Sequence, residues 1–455
     1  MDVINSRMRL ALTLLAAAFA CLLWQRPAQA VPSFAAQTGQ PCTACHIGAF
    51  GPQLTAYGRA FKIGGYTQTG GEGLASKIPL AMMVQTSFNN LQNQVYKGYF
   101  TDFGQNNNFA MDQASLFVAG RITDFAGALI QTTYSGIGKN FFLDNSDVRL
   151  TTPVDIGDTN LRIGLSFNNG PTVQDPFNGS SVWGPPYQGS SLAPHPAAQP
   201  LLVGAFQGNS LGVTAYAWYD NALYGEFGAY NTYDASVAKT LGQYTYPGPS
   251  MQPMPYLRLA YEWDWGGQSA YIGGIWLNAQ IEPGGVPGFG VDKYNDFEID
   301  GSYQFIGDGR NIFSFLGSYY YEDQHLGASY AQGLSANQNN TLQEFRATFT
   351  YFRDNTYGGS LGIQQIWGTT DTGLYAPVPI DGSRTGSPNT TAITAEADWV
   401  PFGKEESWGR PFANVKLGLQ YTYYPVFNGA GNNYDGYGRN AVGNSTLYAF
   451  AWFAF

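Results

Sequence analysis

The stretch from Tyr256 to Trp265 reads YLRLAYEWDW. Leu257, Leu259, Tyr261, Trp263 and Trp265 fall on one parity, and Arg258, Glu262 and Asp264 on the other. Successive side chains of a β-strand point to opposite faces. One face of this strand therefore suits hydrocarbon and the other suits water. The pattern returns where Glu344, Arg346 and Thr348 oppose Phe345, Ala347, Phe349 and Tyr351. It returns again where Asp296, Glu298 and Asp300 oppose Phe297 and Ile299. Strands that are apolar outside and polar inside are the signature of a transmembrane β-barrel.

Composition agrees. Of 455 residues, 12% are charged and 16% aromatic, with 57 Gly, whereas a soluble globular chain carries about 25% charge. Mean hydropathy is −0.20, and nothing beyond residue 30 approaches the ~18 consecutive apolar residues of a spanning helix. A net charge of −10 argues against nucleic acid, whose phosphates need a basic surface.

From residue 78 onward, alternating runs are separated by connections that alternate in length. Short ones are expected near 123–124, 152–158, 220–221, 265–267, 306–310, 354–356 and 401–411. Long ones, rich in Asn, Gly and Pro, are expected near 89–108, 136–142, 170–208, 232–253, 278–294, 323–342, 369–389 and 425–444. These fifteen connections join sixteen strands. The apolar run Leu201 to Phe206 would break the alternation and reads as part of a loop. Leu447 to Phe455 is an aromatic-rich strand ending on Phe, which resembles the recognition signal of bacterial outer-membrane barrels. Short periplasmic turns, long outer loops and an even strand number put both barrel ends on the periplasmic side.

The first thirty residues read as a secretory signal. Arg7 and Arg9 supply the basic start, Leu10 to Leu23 the apolar core, and Ala28-Gln29-Ala30 the cleavage site, so Val31 would begin the mature chain. Ala18-Phe19-Ala20-Cys21 is a poor lipoprotein signal. The expected division is 1–30 signal, 31–77 a short helical segment, and 78–455 an all-β, 16-stranded, porin-like barrel.

The mature chain keeps two cysteines in one motif, Cys42-Thr43-Ala44-Cys45-His46. This is the c-type haem attachment pattern. Two thiols three residues apart on a helical turn reach the two vinyl groups of one haem, and the next residue places an imidazole under the iron. A redox dithiol would need a βαβ context, and a zinc site two further soft ligands nearby; neither is present in the sequence. The expectation is one covalent haem c on Cys42 and Cys45, with His46 as proximal ligand. The sixth ligand stays open among Met82, Met83, Met111, His195, Met251, Met254 and His325, or another side chain or water. Pro52 to Lys62 reads as a short helix with Leu54, Tyr57 and Phe61 at helical spacing, ended by Gly64-Gly65. So short a segment cannot cover a haem alone. It is expected to plug the barrel lumen, or else to hang below it facing the periplasm.

Around the motif the chain carries Phe34, Gln37-Thr38-Gly39, Cys42 to His46, Leu54, Gly58-Arg59-Ala60-Phe61-Lys62 and Gly65-Tyr66. In this it resembles the outer-membrane monohaem cytochrome–porin fusions of iron-oxidising bacteria. The sharp resemblance covers residues 34 to 66, and the barrel matches by plan alone. It implies an oxidoreductase that oxidises extracellular Fe(II) and passes the electron to a soluble periplasmic carrier, a cytochrome or a cupredoxin. Asp296, Glu298 and Asp300 begin a downward strand and are candidates to attract Fe²⁺ from outside by charge and oxygen ligation. Glu262, Asp264, Glu396 and Asp398 end downward strands and are candidates to dock a basic carrier. All seven equally read as polar lining of a wet wall, some paired with Arg of the plug. Arg59 and Lys62 would neutralise lumen carboxylates or haem propionates. The competing functions are a haem-containing diffusion porin, an outward electron conduit and a haem or siderophore uptake barrel. The last would need a larger plug and an energy-coupling segment.

Overall fold

The computed structural model describes residues 32–157, 159–180, 188–204, 206–243, 247–404, 407 and 413–455. The expected signal, 1–30, and part of the expected connection 401–411 lie outside the described residues.

Among the described residues three short α-helices come first: α1 (Pro32–Thr38), α2 (Cys42–Cys45) and α3 (Ala56–Ile63). Sixteen strands follow among the described residues. They are β1 (Leu80–Leu91), β2 (Asn108–Thr123), β3 (Ala126–Ser135), β4 (Asn140–Ile156), β5 (Thr159–Asn168), β6 (Ser210–Tyr219), β7 (Leu223–Thr232) and β8 (Met254–Asp264). The second half comprises β9 (Gln268–Ile281), β10 (Asp292–Phe305), β11 (Asn311–His325), β12 (Asn339–Arg353), β13 (Tyr357–Gly368), β14 (Thr390–Trp399), β15 (Asn414–Val426) and β16 (Thr446–Ala454). Two further helices, α4 (Ala235–Thr240) and α5 (Gly327–Gln332), lie in long connections. Each strand pairs antiparallel with its neighbours in sequence, and β1 pairs with β16, so the sheet closes without an edge. This is the porin-like barrel expected from alternation.

The parity of YLRLAYEWDW decides the two faces of β8. Leu257, Leu259, Tyr261 and Trp263 are exposed on the outer wall, and Arg258 and Glu262 are buried inside. Phe297 and Ile299 lie outside, whereas Asp296, Glu298 and Asp300 are buried within. A closed sheet with an apolar outer belt and polar lumen satisfies every ladder hydrogen bond internally, as a spanning structure must.

The expected turns at 265–267, 306–310 and 354–356 fall where strands end. Two short turns show their chemistry directly. Asp220-Asn221 and Asp354-Asn355 all have φ between 51° and 53°. This left-handed pair is what a tight hairpin turn requires, and Asp and Asn tolerate it. Several expectations shift. Strand β4 runs to Ile156, through most of the short connection expected at 152–158, and the long connections expected at 278–294 and 323–342 shrink to 282–291 and 326–338, because the ladders stay paired further out. The connection after β3 spans only 136–139, because the ladder runs on to pair Ser135 with Asn140. Helix α3 begins at Ala56 rather than Pro52, because Thr55 caps it by accepting from Gly58 N–H at 3.1 Å; Leu54 is extended and bridges to His46.

The lumen is filled. Residues 32–66 enter it, while most of 68–77 is exposed, and the β5–β6 connection enters too, with every residue of 169–180 buried. The run around Leu201 to Phe206 is a loop, as expected, with a 3₁₀ turn at Leu201–Val203. Leu202, Val203 and Phe206 pack inside against Tyr230, Met254, Tyr256, Ile275 and Tyr320.

Candidate functional site

Cys42 and Cys45 occupy one helical turn, and His46 leaves it in an extended conformation (φ −125°, ψ 136°). The turn is held by backbone. His46 N–H donates to Cys42 O at 2.9 Å, and Thr55 N–H to Cys45 O at 2.9 Å. The Thr55 hydroxyl donates to Ala44 O. Helix α3 then packs directly on the turn. A Cβ added at Gly58 would lie 2.5 Å from Cys45 O and 3.1 Å from its Cα, so only glycine permits that approach.

The segment is bolted to the barrel wall. Gln53 Nε2 donates to Ser314 Oγ at 2.6 Å, Asn414 Nδ2 to Ala49 O at 2.8 Å, and Tyr216 OH to Ile63 O at 2.8 Å. Phe34 stacks on Tyr66 at 5.1 Å and meets Phe61 edge-on at 5.1 Å. Gln37 Nε2 donates to Tyr66 O and Gln68 O, while its Oε1 accepts from Arg121 N–H on β2 at 2.7 Å. The Tyr66 hydroxyl donates to Asp147 Oδ2 at 2.7 Å.

Arg59 uses its whole guanidinium fork. It donates to Glu262 Oε1 from Nε at 2.9 Å and Nη2 at 2.6 Å, to Ser269 Oγ at 3.0 Å, to Leu54 O at 2.8 Å and to Gln304 Oε1 at 3.3 Å. Lys62 Nζ donates to Val173 O, Asp175 O and Asn178 Oδ1, all within 2.9 Å. Of the two expected neutralisers, Arg59 therefore meets a lumen carboxylate, whereas Lys62 ties the segment to the inward β5–β6 connection. Burial of these cations on a helix face was missed by apolar spacing, because the wall they face is polar.

Cys42, Cys45 and His46 line one cavity of about 420 Å³, within the ~300–1,000 Å³ range of cofactor sites. Phe34, Phe50, Phe61, Phe117, Leu129 and Trp452 surround them. Away from these rings the cavity ends in an amide network on β1–β4. Gln113 donates to Gln85, Asn145 to Gln131, and Gln207 of the β5–β6 connection to Asn145. A second cavity, of about 560 Å³, lies at the short-turn end. His46, Ile47 and Thr55 line it together with Asp308, Arg310, Asp354, Asn355 and Lys404. His46 thus stands between the two.

The chemistry of this donor set fits haem c. The His46 Nδ1 is buried without a well-formed hydrogen bond. Burial, opposed by a backbone hydrogen bond at Gly51, pushes the imidazole down to about 4, which leaves it neutral and able to ligate metal at neutral pH. Burial, and then the neighbouring Cys42, pushes the Cys45 thiol up to about 12. Among the described residues no group of three His, Cys, Asp or Glu side chains is arranged to hold a metal ion.

The acidic candidates require correction. Asp300 is buried and held by Arg258, with Nη2 to Oδ2 at 2.9 Å, and Asp296 accepts from Leu202 N–H at 2.9 Å. Glu298 is buried between them. These three face the lumen as expected, but the inward connection covers them, so they present no open face to an external ion. Glu262 is committed to Arg59, and Glu396 and Asp398 share Lys416 at 2.9 Å and 3.1 Å. None of those three is available to dock a carrier. Asp264 alone of the four is exposed, at the β8–β9 turn. The bland reading, lumen wall partly paired with the plug, is the one these contacts support.

No family model and no curated protein matches the chain. Among solved structures it is similar to OmpF of Salmonella typhi in complex with daunomycin, at 10% identity and a TM-score of 0.47, over 83% of this chain and 97% of that one. It is similar also to the outer membrane channel DcaP of Acinetobacter baumannii, at 9% identity and TM-score 0.45, over 83% and 96%. An anion-selective porin from Comamonas acidovorans gives 12% identity and TM-score 0.44, over 83% and 98%. At these values the likenesses add nothing to what the strand pairing itself establishes.

Proposed function

We propose that this chain is an outer-membrane electron-transfer protein with oxidoreductase activity. In this reading Cys42 and Cys45 hold one covalent haem c, and His46 is its proximal ligand. The external donor is Fe(II), as the resemblance around residues 34–66 implies, and the acceptor is a soluble periplasmic carrier. The observation that carries the reading is that Cys42, Cys45 and His46 meet on the wall of one aromatic-lined cavity inside a closed barrel. A haem there would supply one-electron exchange without passage of the metal substrate through the wall.

The chain's own residues do the rest. Phe34, Phe61, Tyr66 and Phe117 keep water from the attachment turn. Arg59, Gln37 and Tyr66 hold the segment in register with β2, β4 and β8. The amide network at one end of the cavity offers the donor a polar approach. The second cavity, with both acidic and basic side chains, leaves the His46 side within reach of a carrier at the short-turn end. The filled lumen weighs against free diffusion of solutes.

The test is spectroscopic. Purified, oxidised protein in detergent should be reduced rapidly by anaerobic Fe(II), read at the haem α-band. Reduction by dithionite but not by Fe(II) would remove Fe(II) as donor. His46→Ala, or loss of both Cys42 and Cys45, should abolish covalent haem while the barrel still inserts. Covalent haem surviving loss of both cysteines would refute the attachment site.

A further inference from the structure

A haem iron held by His46 has a second axial position, and β1 decides which residue can fill it. Neighbouring Met82 and Met83 lie on opposite faces. Met82 is on the outer wall, 45% exposed, while Met83 lines the cavity that contains Cys42, Cys45 and His46. The other sulfur and imidazole candidates lie elsewhere. Met111 and Met251 are exposed. Met254 is buried with Tyr230 and Tyr256. His325 is exposed and hydrogen-bonded to Asn339 at 2.8 Å. His195 stands in the β5–β6 connection and lines no wall of this cavity.

The stronger donors that do reach the cavity are already engaged. Tyr66 OH donates to Asp147 at 2.7 Å. Lys62 Nζ has three acceptors. Asp144 accepts from Thr133 at 2.8 Å and from Gln207 at 3.2 Å. Met83 carries a soft thioether that needs no hydrogen bond. It is packed between two clusters that border the site, one of Ile47, Phe50 and Trp452 and one of Phe61, Tyr66 and Phe117.

We propose that Met83 is the second axial ligand of the haem iron, on the face opposite His46. The inference rests on the haem reading above. Its consequence is chemical: methionine opposite histidine raises the reduction potential of a c-type haem, which suits a weakly reducing external donor such as Fe(II).

The test uses the full chain, purified from a host that matures c-type cytochromes, as wild type, Met83→Leu, Met83→His and Met82→Leu. Covalent haem is scored on denaturing gels. The ferric protein is then examined for the weak far-red sulfur-to-iron charge-transfer band, by absorption and magnetic circular dichroism, and titrated for potential. Wild type and Met82→Leu should show the band. Met83→Leu should lose it completely, keep its covalent haem, and open the iron to cyanide. Met83→His should give a bis-imidazole spectrum at a lower potential. A wild-type protein with covalent haem but no band, or a band that survives in Met83→Leu, overturns the ligand. No covalent haem in any of the four overturns the attachment reading, and the ligand with it.

Discussion

Replacing Arg59 by alanine should unseat the N-terminal segment without opening the barrel. Arg59 and Glu262 are both buried, with side chains 1% and 4% exposed, and three further acceptors, Leu54 O, Ser269 Oγ and Gln304 Oε1, share the guanidinium. Removing one partner of a buried pair leaves the other charge unsolvated, at a cost of ~3–5 kcal/mol. At about 1.4 kcal/mol per tenfold, the population of the unseated segment should rise a hundredfold or more. The strand ladders do not depend on Arg59, so the thermal unfolding of the barrel in detergent should be the same in Arg59→Ala as in wild type. Native-state hydrogen exchange is the assay. Amides of α3 and of the 44–46 turn, protected through Leu54, Thr55 and Cys45, should exchange about a hundredfold faster in Arg59→Ala, while those of β8–β10 stay unchanged. Arg59→Lys keeps the charge but loses the fork and should fall between. Arg59→Ala with Glu262→Gln should recover part of the loss, because the orphaned carboxylate is gone. Unchanged exchange in Arg59→Ala would show that the pair does not hold the segment.

Gly58→Ala puts a Cβ 2.5 Å from a backbone oxygen, and overpacking of this kind costs ~1–3 kcal/mol; haem attachment per barrel should fall, read by the ratio of haem stain to protein. In the β13–β14 connection, burial works to raise Asp371, but hydrogen bonds from Ser335, Ala336 N–H, Asn340 and Leu374 N–H outweigh it and hold the carboxyl well below its ordinary value. Its stabilisation is present above the ordinary carboxylate range and lost only as pH falls through the lowered value. The 326–338 and 369–389 connections should therefore resist protease at pH 3, and Asp371→Asn, which puts an amide among donors, should remove that resistance. Planar-bilayer recording of the wild-type barrel should give a conductance far below that of an open sixteen-stranded pore, because 32–66 and 169–180 occupy the lumen; a large ohmic channel would contradict the occupied interior.

Much of this was legible. Period-two alternation identifies a strand and both its faces, because a side chain's face depends only on parity. The turns at 220–221 and 354–356 were visible because Asp and Asn tolerate the left-handed backbone they need. The Cys42–His46 pattern was visible because its spacing is local to one helical turn. Other features were not. The seven candidate acids share one sequence signal, yet Glu262 meets Arg59, two others meet Lys416, Asp300 meets Arg258, Asp296 meets a backbone N–H and Asp264 is exposed at a turn. Those partners are tens to hundreds of residues apart, and no periodicity links them. The residues quoted around the haem motif acquire reasons only in three dimensions. Gly58 is there for contact with Cys45, Gln37 for β2, and Tyr66 for Asp147 and the ring of Phe34.

The sequence by itself determined a sixteen-stranded barrel, its inner and outer faces and one Cys-x-x-Cys-His pattern, because each is written in spacing along the chain. Only the tertiary structure decided that the motif lies inside the barrel, that the β5–β6 connection turns inward to cover Asp296 and Asp300, and that Met83 rather than Met82 shares a cavity with His46. Closing the sheet brings β1 beside β16 and sets the lumen's shape, and which side chains meet across that lumen follows from register and closure rather than from any local pattern.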